Sequence, residues 1–163
     1  MNIRLFQPQD QEQIVAIYNQ AVADGSCTAD TEPVTLSSKR GWFNQHPEDH
    51  YPIFVAAEGA QIQGWCSLSP HRPGRKGLQA VAEISYYIER DHRAQGLGNR
   101  LMDHAIAAAP ALGLQHLFAI LLDCNKTSIH LLEKKGFTRW GHLPGIVDLG
   151  VKVCGQYIYG RAL

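Results

Sequence analysis

The stretch EISYYIERDHRAQGLG, residues 83–98, constrains this chain most, because it joins an alternating strand to a glycine turn at a helix start. Ile84, Tyr86 and Ile88 alternate with Ser85, Tyr87 and Glu89, which fits a strand of period two with one apolar face. Arg93-Ala94-Gln95-Gly96-Leu97-Gly98 then opens a segment in which Leu97, Leu101, Ala105 and Ala108 recur at helical spacing. Gly96 and Gly98 permit unusual dihedrals and a close backbone approach to a ligand. The first-turn N–H groups have no partner within the helix and point at the same spot, with the positive end of the helix dipole behind them. An anion such as a pyrophosphate belongs there. A glycine turn between strand and helix also arises for steric reasons alone, so the motif gains its weight from what surrounds it.

The surrounding order is regular. A strand near residues 3–6 precedes a helical stripe of Ile14, Val15, Ile17, Tyr18, Ala21 and Val22 that ends near Gly25. Leu36, Trp42 and Phe43 predict a short helix closed by Gln45-His46-Pro47. Residues 53–57 and 62–68 flank Glu58-Gly59-Ala60-Gln61, a polar glycine turn that predicts a hairpin. SPHRPGRKG, residues 69–77, reads as a basic irregular loop. The last third alternates: helix 96–109, strand 115–122, helix 126–135, strand 137–143 and strand 156–161. This pattern predicts one domain over residues 1–163, with a single mixed α/β sheet and helices on both faces.

Composition excludes several classes of function. Fifteen basic and fifteen acidic residues cancel, so nothing favours broad electrostatic binding to nucleic acid or an anionic membrane. No window approaches the roughly 20 apolar residues that span a bilayer, and a cytoplasmic location is expected. The four cysteines, Cys27, Cys66, Cys124 and Cys154, lack Cys-x-x-Cys spacing and read as reduced thiols. Among the histidines, the i,i+4 pair His46 and His50 encloses Pro47 in a polar turn-like stretch, so no metal site is expected.

The order strand, Arg-x-x-Gly-x-Gly, helix, buried strand, Asn125-x-x-Ser128, then Leu131-Leu132-Glu133-Lys134-Lys135-Gly136-Phe137 resembles the GNAT-type N-acetyltransferases over nearly the whole chain. Thr28-Ala29-Asp30-Thr31-Glu32-Pro33-Val34, the central Glu83 and Pro144-Gly145 before a last strand resemble the phosphinothricin and methionine-sulfoximine acetyltransferase branch. The resemblance implies a mostly antiparallel, splayed central sheet, acetyl-CoA as cofactor, a small-molecule amine as acceptor and a homodimer. It assigns the pyrophosphate to Arg93, Ala94, Gln95, Gly96, Leu97, Gly98 and Asn99. The pantetheine arm is an amide chain that can pair with a strand edge, for which Tyr86, Tyr87 and Ile88 are the natural partners. Asn125 suits two roles, a contact to the arm and an N-cap for the following helix. Ser128 adds a hydroxyl near the arm, and Lys134 is a candidate for the phosphates.

Glu83 is the implied catalytic base. An acceptor ammonium is mostly protonated at neutral pH, and a positioned carboxylate contributes roughly 10²- to 10⁴-fold. Thr28, Glu32, Ile84 and Ser85 are candidate acceptor contacts beside it, with Arg72 and Arg75 offering a planar fork for the acceptor's carboxylate. Two departures from the family stand out. Leu132 occupies the place where many members carry a tyrosine that protonates the leaving thiolate, and Gly150-Val151-Lys152-Val153-Cys154-Gly155 lacks the aspartate that relatives show there. Acetyl transfer to the α-amine of an amino-acid-like acceptor, without an acetyl-enzyme, is the expected activity. An enzyme acting on another amine (a protein N-terminus, an antibiotic or a polyamine) and a non-catalytic acyl-CoA binding module are the alternatives.

Overall fold

The computed structural model describes Met1–Leu163. The chain runs β1 (Asn2–Leu5), α1 (Gln11–Asp24), α2 (Leu36–Phe43), β2 (Ile53–Glu58), β3 (Gln61–Pro70), β4 (Val81–Ile88), α3 (Leu97–Ala108), β5 (His116–Leu122), α4 (Lys126–Lys134), β6 (Thr138–Asp148) and β7 (Val153–Ala162). The strands form one seven-stranded mixed sheet in the order β1-β2-β3-β4-β5-β7-β6, and every neighbouring pair is antiparallel except β4 with β5.

Period-two alternation along β2 separates two cores. Phe54 and Ala56 face one side, where they join Leu68, Ala82, Ile84 and the buried stripe of α3, Leu97, Leu101, Met102 and Ala105. Ile53, Val55 and Ala57 face the other side, against Ile14, Val15 and Ile17 of α1 and Phe43 of α2. With helices covering both faces, β2 and β5 are largely apolar, the expected signature of a doubly covered sheet. α1 stops where Gly25 turns left-handed at φ 65° and donates its N–H to Val22 O. α2 starts from a capping box in which Thr35 and Ser38 serve each other's backbone N–H groups.

Four details differ from the sequence reading. β3 runs through Ser69 and Pro70, so the irregular basic segment starts later than residue 69. Pro144-Gly145 lies inside β6, where the register against β7 shifts between Leu143 and Val147, rather than between two strands. A bulge absorbs the proline, which cannot donate to a ladder. His46 is buried, its Nδ1 2.7 Å from Trp42 O and its Nε2 3.0 Å from Ser69 Oγ, and burial lowers its pKa. Finally, the antiparallel register of β5 and β7 brings Cys124 and Cys154 together, their sulfurs 3.2 Å apart.

Gly64 on β3 lies opposite Ile88 at the end of β4, where an added Cβ would be 2.8 Å from Ile88 Cδ1 and 3.0 Å from the Tyr87 carbonyl oxygen. A backbone atom cannot rotate away, so Gly64→Ala is expected to destabilise the fold by about 1–3 kcal/mol. Urea unfolding would show this as a lower midpoint at constant slope; an unchanged midpoint would contradict the close approach.

Candidate active site

β4 and β5 are paired only from Val81, Ala82 and Glu83 to His116, Leu117 and Phe118. Beyond Glu83 the two strands part, β4 continuing along β3 to Ile88 and β5 continuing along β7 to Leu122. Two facing strand edges are left without each other as partners. Ile120 registers the opening, since it belongs to a central strand and is nevertheless 41% exposed.

Two cavities meet at this opening. The larger, of about 470 Å³, lies between the diverging strands and the starts of α3 and α4. Tyr86, Tyr87, Ile88, Arg93, Ala94, Gly96, Leu97, Gly98, Asn99, Asn125, Ser128 and Lys134 all line it. Of the residues read as cofactor contacts, only Gln95 is absent: it is exposed and its side chain turns back to donate to Asp91 O at 3.1 Å.

The glycine turn is built for an anion. Ala94 and Gly96 adopt φ of 59° and 78°, which turns the chain into α3. Arg93 anchors the turn, donating Nε to Ile88 O at 3.1 Å and Nη1 to Asp24 at 2.5 Å. Asp24 also receives Arg90, and the two guanidiniums outweigh its desolvation and hold its carboxyl below the usual range. Gly98 fits because a Cβ there would already touch Leu131 and the Tyr86 ring, at 3.4 and 3.6 Å. Asn99 Oδ1 is buried without a hydrogen-bond partner beside the first-turn N–H groups. The first-turn N–H groups, which are donors where Asn99 Oδ1 is an acceptor, and the free strand edges fit a pyrophosphate followed by an amide chain.

At the start of α4, Asn125 Oδ1 accepts from Ser128 N at 3.1 Å, so the oxygen caps the helix and the amide nitrogen stays available to the cavity. The capping role read for this residue thus rests on its oxygen, and its nitrogen is left for the other. Tyr86 donates to Ser128 Oγ at 3.0 Å, and burial pushes its phenol up to about 12. Tyr87, on the opposite face, packs edge-on to Tyr18 and against Trp65.

The second cavity, of about 340 Å³, lies on the α1 and α2 face and includes Glu83, Ser85, Thr28, Tyr18, Lys39, Trp42, Ser67 and Gln156. It touches the first at Cys27, Ser85, Tyr87, Ile120 and Leu121. Glu83 thus stands where the strands separate, its side chain in one cavity and the following residues in the other. Burial alone raises its pKa above the ordinary carboxylate value.

Several expected acceptor contacts lie elsewhere. Glu32, Arg72 and Arg75 are exposed and line neither cavity, and Ile84 faces the cofactor side, as period two requires of a neighbour of Glu83. The sequence reading missed Lys39, whose Nζ sits 4.7 Å from the centre of the Tyr18 ring, and Ser67, whose buried hydroxyl has no partner. Ser67 pairs across the ladder with Ser85, so a β3 register would have found it. Lys39 carried no signal beyond its position on an amphipathic helix.

A paired cavity of this kind, an anion-binding helix start at one end and a buried carboxylate at the other, suits transfer of an acyl group from a coenzyme A thioester. Residues 14–137 match the Acetyltransferase (GNAT) family, and the chain belongs to it. It is 40% identical over 164 residues to YwnH of Bacillus subtilis, provisionally named a phosphinothricin acetyltransferase, covering 100% of this chain and 99% of the relative. It is 34% identical over 134 residues to the L-methionine sulfoximine/L-methionine sulfone acetyltransferase of Pseudomonas aeruginosa, 82% of this chain and 77% of the relative. The structure of yncA from Salmonella typhimurium with acetyl-CoA superposes with a TM-score of 0.91 at 25% identity, covering 100% of this chain and 94% of that one. The protein is an acetyltransferase, and acetyl-CoA is its cofactor.

The raised pKa of Glu83 has a measurable effect on stability. The folded state binds this proton more tightly than the unfolded chain, so its contribution is full below the ordinary carboxylate pKa of about 4.3 and is lost as pH rises through the raised value. Ionised Glu83 therefore costs stability at neutral pH. Glu83→Gln is expected to melt higher than the native protein at neutral pH and to approach it near pH ~3, where Glu83 is protonated in both the folded and the unfolded state. A variant that melts lower at neutral pH would contradict the desolvated carboxylate.

Proposed function

We infer that the protein acetylates the α-amine of a small amino-acid-like acceptor of the phosphinothricin, methionine sulfoximine or methionine sulfone type, by direct transfer with Glu83 as general base. The observation that carries this reading is the place of Glu83: the last residue of β4 paired to β5, with its carboxylate in one cavity and the next residues lining the other.

Acetyl-CoA supplies the activated acetyl thioester. The first turn of α3 would hold the diphosphate, and the unpaired edges beyond Glu83 would orient the amide arm. The acceptor enters the other cavity, walled by Tyr18, Thr28 and Trp42. Its carboxylate meets Lys39, the cation that this fold offers in place of Arg72 and Arg75. Ser67 Oγ gains the partner it lacks within the chain from the acceptor or a bound water. Glu83 takes the ammonium proton and releases a neutral amine for attack; its raised pKa brings it nearer to the amine's and makes it a stronger base than an exposed glutamate. A backbone N–H of the free β4 edge is the donor for the developing oxyanion, an interaction worth about 3 kcal/mol in comparable sites.

We take the working state as a cytoplasmic homodimer. Ile146, Val151 and Val153, exposed at 56%, 91% and 63% on and beside β6 and β7, supply an apolar surface for the second copy.

Coenzyme A release with L-phosphinothricin, L-methionine sulfoximine, L-methionine sulfone, spermidine and a short peptide tests the acceptor class. Turnover is expected on the first three alone, and Glu83→Gln is expected to lose roughly 10²- to 10⁴-fold in kcat while still binding acetyl-CoA. Turnover on spermidine or peptide alone, or full activity in Glu83→Gln, would overturn the reading.

A further inference from the structure

Cys124 and Cys154 stand outside the machinery described so far. Leu122 pairs with Gln156, and Asp123 N–H donates to Gly155 O at 3.0 Å, so the ladder of β5 and β7 continues past the end of β5. The next facing pair along that ladder is Cys124 with Cys154. Because Asp123 and Gly155 occupy a hydrogen-bonded position, the two cysteines take the adjoining non-hydrogen-bonded one, where facing side chains come closest. Their sulfurs are 3.2 Å apart.

Two thiols so placed could serve a metal ion or a disulfide, and the surroundings decide between them. Asp123 offers a third ligand atom within 4.8 Å of both sulfurs. However, thiolates sharing a tetrahedral zinc ion stand about 3.8 Å apart. The Asp123 carboxylate is already 3.2 Å from His142 Nε2. Cys154 is buried among Leu122 and Val147, with Leu149 and Cys124 packed against them, an apolar cluster that penalises two thiolate charges. A disulfide is neutral and apolar and leaves the cluster intact.

The link would also reach the cofactor cavity. Asn125 follows Cys124 directly, its N–H donates to Leu122 O, and Lys126 N–H donates to Cys124 O, each at 3.0 Å. Asn125 Oδ1 in turn caps α4. A bond between the sulfurs would tie the residue before Asn125 to β7 and restrict how the start of α4 adjusts to a cofactor arm.

We propose that Cys124 and Cys154 form a reversible dithiol–disulfide site that weakens acetyl-CoA binding when it is oxidised. The coupling to binding rests on the placement of the cofactor arm beside Asn125 inferred above. Half-buried Cys124 is the more accessible sulfur. Its thiolate attacks a low-molecular-weight disulfide RSSR, forming a mixed disulfide and releasing RS⁻. The Cys154 thiol loses its proton to solvent, attacks the Cys124 sulfur and displaces the second RS⁻. The protein gives up two electrons and two protons, and RSSR is reduced to two RSH.

Glutathione disulfide is the probe. Treatment of the whole protein followed by peptide mapping without reductant is expected to show one Cys124–Cys154 link and a loss of two hydrogens in mass. Acetyl-CoA Kd is expected to rise about fivefold, the equivalent of one neutral hydrogen bond, and to return with dithiothreitol. Cys154→Ser should stop at the mixed disulfide on Cys124, and Cys124→Ser should form no link to Cys154. A persistent mixed disulfide on Cys124 in the native protein, or retention of one added zinc ion by the two thiols, would overturn the disulfide site. A complete link with unchanged acetyl-CoA affinity would overturn its coupling to the cofactor. The mapping needs no acceptor turnover, so failure here is distinguishable from failure of the proposed acceptor or base.

Discussion

The short parallel contact between β4 and β5 governs the site. Three facing residue pairs hold the halves of the sheet together, and beyond Glu83 the strands diverge. Backbone N–H and C=O groups in a protein interior need partners, so an open gap in the middle of a sheet is a position for a ligand able to supply them. The gap also creates the junction between the cavities, because the strand that ends its pairing at Glu83 lines one with Glu83 and the other with Tyr86 and Ile88. Period-two alternation thus puts a buried carboxylate in one cavity and the side chain of the next residue in the other.

Charge is arranged consistently with that division. The larger cavity gathers donors: the first turn of α3, the amide of Asn125 and the exposed Lys134. Arg93 is better described as a support than a free cation, since its guanidinium is engaged by Asp24 and Ile88 O. Glu83 and Lys39 are the charged residues that line the smaller cavity, and burial raises the pKa of Glu83. The burial that raises the pKa of Glu83 costs the fold stability wherever the carboxylate is ionised.

Local signals made most of the fold legible. Periodicity located α1, α3, β2, β3 and β5, and the turn chemistry of Glu58-Gly59-Ala60-Gln61 located the hairpin of β2 and β3. The lining of the larger cavity was equally legible, because the glycine turn and the start of α4 are each a short continuous stretch of sequence. The second cavity was legible only in part. Thr28, Glu83 and Ser85 were readable from the sequence, whereas Lys39 and Ser67 come from α2 and β3, and only sheet register and helix docking bring them beside Glu83. Arg72 and Arg75 suggested themselves by charge, yet their loop leaves them in solvent. Cys124 and Cys154 looked scattered for the same reason, since a separation of 30 residues becomes a facing pair only once β5 is known to lie antiparallel to β7.

The gap itself is open to direct measurement by amide hydrogen exchange, residue by residue, with and without acetyl-CoA. Amides of residues 85–88 and 119–122 that face the opening should exchange faster than those bonded to β3 and β7, and acetyl-CoA should slow the exposed β4 amides selectively. Uniform protection across β4 without cofactor, or exchange there that acetyl-CoA leaves unchanged, would contradict a cofactor arm bound as a strand in the gap.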